Sequence, residues 1–129
     1  MRPEAQRIAI AEACGWRFTA KTVFTPQGGE VNLYFALTNT GACCVPDYLG
    51  DLNAMNEAEK FLVSWDDPKN KGHYIWKDSY SRFIGLLGDI TNSSYFHPKA
   101  DSTEFRKLIS ATAAQRAEAF LKTIGKWTE

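Results

Sequence analysis

No stretch of this chain approaches the ~20 consecutive apolar residues of a membrane-spanning helix. The N-terminus carries Arg2 and Arg7 but no continuous apolar segment behind them, so no secretory leader is expected. Charge of one sign is not in excess either: Lys+Arg and Asp+Glu stand at 15 each. Proteins that bind duplex nucleic acid owe much of their affinity to phosphate neutralisation and show a basic surplus, so duplex nucleic acid is not an expected partner. Cysteine is scarce and oddly placed, with Cys14, Cys43 and Cys44 making three. An odd count with two adjacent residues is a poor disulfide framework, and a bridge between neighbours is strained. Reduced thiols in a reducing cytosol follow. With no CxxC and only His73 and His97 as histidines, no metal is expected. Nucleophile elbow, P-loop, GxGxxG, HExxH and EF-hand patterns are missing, and no cofactor or catalytic residue can be named.

What the chain has is material for one core. Its 129 residues fit a single domain, 1–129, with 44% apolar residues, 4 Trp, 5 Tyr and 8 Phe. The clearest element is the last helix, residues 112–124. Thr112 can cap its first turn and Gln115 stands where a capping box wants it. Ala113, Ala117, Phe120, Leu121 and Ile124 repeat at helical spacing, and Gly125 offers a left-handed stop. Pro3 to Cys14 reads as a helix with Ala5, Ile8 and Ala11 inward and Gly15 as its stop. Asp51 caps another over Leu52 to about Ser64, burying Leu52, Met55, Ala58, Phe61 and Leu62.

Alternation over residues 16–24 predicts one strand with Trp16, Phe18, Ala20, Thr22 and Phe24 on its buried side. Pro26 and Gly28-Gly29 turn the chain through a loop of about five residues into a second strand through Leu37. His73 to Lys77 reads as a short strand, and residues 91–104 as loop leading to a strand from Phe105 to Ile109. Residues 78–88 admit a helix bearing Tyr80, Phe83, Ile84 and Leu87, or part of a long strand broken at Gly85. The complete helical spacing favours the helix. The class is α+β, an antiparallel sheet of three to four strands with three to four helices.

The candidate binding residues are Arg116, Asn53, Asn56, Trp65 and Trp76. Arg116, in the first turn of the last helix, can grip an anion beside free backbone N–H groups, or pair with a neighbouring acid on the surface. Asn53, Asn56 and Glu57 share a polar helix face that suits recognition or plain solvation. Trp65 and Trp76 flank the charged loop Asp66–Gly72 and can stack on a flat ligand or anchor a partner, while Trp16 and Trp127 read as core. Aromatic excess in so small a domain also suits a homo-oligomer, a dimer first. His73 and His97 are acid–base candidates or ordinary surface histidines.

Three blocks act together: Ile8 to Trp16; Pro46-Asp47-Tyr48 with Asp51 to Lys60; and Ala111 to Trp127. In order and spacing they resemble the phage ABA sandwich domain family, small proteins of phages and prophages. The resemblance implies a viral or prophage origin and helices packed on a sheet, an αβα sandwich-like arrangement. Related chains often carry His where this one has Asn56, and the resemblance implies no reaction, cofactor or catalytic residue. The expectation that follows is a non-catalytic accessory protein in the host cytoplasm. It would sequester a small nucleotide-like ligand or inhibit a host or defence protein. A structural or assembly component is the alternative, and a small nucleotide hydrolase using His73 or His97 stands behind both.

Overall fold

The computed structural model describes residues 1–38, 44–64, 79–93 and 102–129. In chain order these form α1 (Pro3–Ala13), β1 (Arg17–Phe18), β2 (Thr22–Phe24), β3 (Glu30–Asn32), α2 (Leu33–Thr38), α3 (Leu52–Ser64), α4 (Ser79–Ile90), α5 (Ser102–Ile109) and α6 (Ala113–Thr123). Among the described residues there are thus six helices and one antiparallel sheet in the order β1-β2-β3, an α+β fold. The helices beyond the expected three or four are α2 and α5. The expected strand at His73–Lys77 lies outside the described residues.

Helix α6 is the centre of the core, packed on α1, α3 and α4. The capping box forms as its sequence requires: the Gln115 N–H donates to Thr112 Oγ1 at 3.1 Å, and the Thr112 N–H donates to Gln115 Oε1 at 2.9 Å. Ala117, Phe120 and Leu121 are fully buried. So are Ala119 and Thr123, which the apolar stripe does not include, because helices approach α6 from more than one side. Thr123 turns its hydroxyl onto its own helix, donating to the Ala119 carbonyl at 2.8 Å. α1 and α6 stop alike. Gly15 at φ +104° and Gly125 at φ +74° take the left-handed conformation. Behind each, the next N–H reaches back across the last turn, Trp16 to the Ala11 carbonyl and Lys126 to that of Leu121.

α3 also matches its sequence pattern. Asp51 Oδ1 accepts the Asn53 N–H at 2.9 Å, and Met55, Ala58 and Leu62 are buried with Phe61 partly so, but Leu52, expected on the buried side, is exposed at the first position of the helix. On α1 the inward residues are Ile10 and Ala11, and Ala5 is exposed. Residues 79–90 are helical, with Phe83 and Leu87 fully buried.

Of three departures, the first two come from local side-chain bonds that sequence alternation does not show. The strand expected over 16–24 is divided into β1 and β2. Thr19 Oγ1 accepts the Thr22 N–H, and the Thr19 N–H and hydroxyl both reach the Thr22 carbonyl, so the chain reverses there. Phe18 then pairs with Val23, and the fully buried residue is Val23. The second strand stops at Asn32, whose Oδ1 accepts the N–H groups of Tyr34 and Phe35 and starts α2. Phe105 to Ile109 belongs to α5, where Leu108 is the buried residue. Glu104 in its first turn and Arg106 and Lys107 in its last complement the helix dipole.

Arg7 ties the N-terminal helix to the end of α2 and the chain beyond it. Its guanidinium donates to the carbonyls of Val45 at 2.6 Å, Pro46 at 3.3 Å and Leu37 at 3.4 Å. Replacing Phe120 by Ala is expected to cost ~3–5 kcal/mol in equilibrium unfolding, the range for a core aromatic. A loss under ~1 kcal/mol would show that α6 is not the centre of the core. Asn32→Ala should cost ~1 kcal/mol through the lost cap.

A groove with a buried ion pair at its base

Two charged side chains fall on apolar stripes. Glu59 lies four residues after Met55 and three before Leu62, so α3 turns it inward, and only 6% of it is exposed. Arg116 lies four residues before Phe120 and three after Ala113, on the inner half of α6. They meet. Arg116 Nη1 donates to Glu59 Oε1 at 3.0 Å and Oε2 at 3.2 Å. One guanidinium nitrogen thus serves both carboxylate oxygens, while Arg116 Nε is buried with no hydrogen-bond partner among the described residues. Burial pushes the Glu59 carboxyl above its ordinary value of 4.5, against the opposing pull of Arg116. Tyr80 on α4 is pushed up as well, first by burial and then by the Glu59 charge, so its hydroxyl stays neutral.

Arg116 also lines a groove of about 390 Å³. Among the described residues, α4 contributes Tyr80, Ser81, Ile84 and Leu87, and α5 contributes Phe105, Leu108 and Ile109. The walls are therefore mainly apolar, and Arg116 is the one charged side chain among these lining residues. Phe105 and Ile109 form an exposed rim. Such a shape, apolar walls with few polar groups, suits a small flat molecule. A second depression of about 520 Å³ lies beside α1, lined in part by Arg7, Thr38 and Asp47. It is a weaker candidate, because the Arg7 guanidinium is already engaged with three backbone carbonyls.

Of the residues singled out from sequence, Arg116 is thus in the groove, but turned to Glu59 and away from the solvent at its helix start. Asn53 and Asn56 are exposed on α3, on the face opposite Met55 and Leu62, and neither lines the groove. Glu57 on that face pairs with Lys60 at 2.7 Å. Trp65, Trp76, His73, His97 and Cys43 lie outside the described residues. Sequence reading missed Glu59, Tyr80 and Phe105 as site residues. A signal for the first was available: a carboxylate at a stripe position of α3 and a guanidinium at a stripe position of α6 must find each other or stay unpaired in the core.

Cys14 and Cys44 are free thiols. Burial raises the Cys14 pKa to about 11 against the lowering effect of the Tyr48 hydroxyl bonded to it, so the sulfur is a protonated thiol at neutral pH. Among the described residues no three His, Cys, Asp or Glu side chains stand together as a metal site, and no helix is long and apolar enough to cross a membrane.

Arg116→Met should cost ~3–5 kcal/mol at neutral pH, because it strands the Glu59 carboxylate. Adding Glu59→Leu should recover most of that loss, and urea unfolding of the single and double variants checks it. Glu59 also makes stability depend on pH. Its folded pKa is raised, so its contribution is full below 4.5 and is lost as pH rises through the folded value. The stability of the wild type relative to Glu59→Gln should therefore fall with rising pH across that window, and a difference flat with pH contradicts the assignment.

No protein-family model, curated protein or solved structure matches the chain.

Proposed function

We propose that this chain is a non-catalytic binding protein whose groove between α4, α5 and α6 takes a small ligand with a flat apolar body, such as a nucleobase ring. The observation that carries this reading is the groove itself. Its volume of about 390 Å³ is of the size that holds small molecules. Tyr80 and Phe105 supply rings for stacking, and Arg116, held from behind by Glu59, can orient a ring edge. With the resemblance to phage and prophage proteins, this describes an accessory protein that sequesters a nucleotide-type signal in the host cytoplasm. The exposed rim of Phe105 and Ile109, 44% and 53% accessible, favours a second reading in which an apolar side chain of a host or defence protein enters the groove. The homodimer expected from aromatic content remains part of the proposal. Tyr34 at 76% and Val63 at 71% exposure are apolar side chains that do not line the groove, and a dimer would have them to cover.

A thermal-shift panel of nucleobases, nucleosides and linear and cyclic nucleotides tests the small-ligand reading. At least one ring-bearing compound should raise the melting temperature, since a ligand at a hundred times its Kd adds ~2.7 kcal/mol. Ile109→Glu, at an exposed position, should keep the fold and remove the shift. If no compound stabilises the wild type, the small-ligand reading fails and the protein-partner reading replaces it.

A further inference from the structure

The binding reading above leaves open what charge the groove accepts. We infer that it takes ligands that are uncharged where they enter, and that Glu59 is the residue that sets this preference. Arg116 is the only charged side chain among the described lining residues, and Glu59 already neutralises it at 3.0 Å. An anion entering between apolar walls gives up its hydration and finds no net positive charge to compensate. To take the guanidinium for itself it would have to displace Glu59, leaving a carboxylate buried and unpaired. A neutral ring incurs neither cost.

Glu59 therefore acts on the ligand through Arg116, as a specificity-determining residue behind the groove wall. Removing its charge while keeping its shape should turn the groove into an anion site, because Arg116 then carries an uncompensated charge beside the ligand. Glu59→Gln does this with few changed atoms.

Two fluorescent probes of similar shape read the preference: neutral N-phenyl-1-naphthylamine and its anionic relative 8-anilinonaphthalene-1-sulfonate. Both are titrated near neutral pH, with circular dichroism confirming the fold. The wild type should bind the neutral probe about tenfold or more tighter than the anionic one, and Ile109→Glu should weaken the neutral probe. Glu59→Gln should raise affinity for the anionic probe about tenfold and leave the neutral one within about twofold. If the wild type binds the anionic probe as tightly as the neutral one, the charge preference is wrong while the groove stands. The preference is equally wrong if Glu59→Gln is folded and changes neither affinity. If neither probe brightens, the groove binds no flat ligand and both readings fall. The wild-type comparison needs no variant, so it decides the preference even if Glu59→Gln does not fold.

Discussion

Burial of α6 on more than one side is the constraint from which the rest of this structure follows. A helix that presents Ala117, Ala119, Phe120, Leu121 and Thr123 to the interior cannot lie on a surface. It needs neighbours around it, and α1, α3 and α4 supply them. The small side chains let those neighbours come close, and the Thr123 hydroxyl avoids an unmet polar group by bonding back to Ala119. Once α6 is enclosed, Arg116 on its first turns can no longer reach open water with its whole side chain. Its charge has to be met from inside, and α3 meets it with Glu59.

The small sheet has a different standing. Its three strands are two or three residues long and lie to one side of the helical core, joined to it mainly through α1 and α2. Short strands closed by tight side-chain bonds contribute a ledge more than a core. The groove, by contrast, lies between α4, α5 and α6, where α5 touches the core chiefly through Leu108. Ser93 Oγ donating to the Glu104 carbonyl at 2.8 Å helps hold α5 beside α4.

How much of this was legible depends on how the information is carried. α1, α3 and α6 could be read because helical spacing over about three turns agrees with a start or stop signal in each: Pro3 and Gly15 for α1, Asp51 for α3, Thr112 and Gly125 for α6. α2 and α5 could not. Each is short, with six and eight residues, and rich in Phe, Tyr, Leu or Ile, which suit a strand as well as a helix. What decides α2 is the Asn32 carboxamide oxygen, and a single Asn in a sequence announces a turn as readily as a cap. The site was half legible. Arg116 stood out, but as a surface cation at a helix start. Its partner 57 residues earlier could have been found by asking why a Glu interrupts the apolar stripe of α3. The groove itself could not be read, because it exists only where three helices converge, and no local pattern encodes that convergence.

The position of α6 as the last of the described helices has a consequence for synthesis. α3 and α4 are made first, and until α6 arrives their inward faces, with Met55, Leu62, Phe83 and Leu87, lack the helix that covers them. At ~5–20 residues per second, the interval between completing α3 and completing α6 is roughly 3 to 12 s. For those seconds α3 can pack on α1 and α4, but the faces that meet α6 stay uncovered. The interior is complete only once Phe120 and Leu121 have cleared the ribosome and reached those faces.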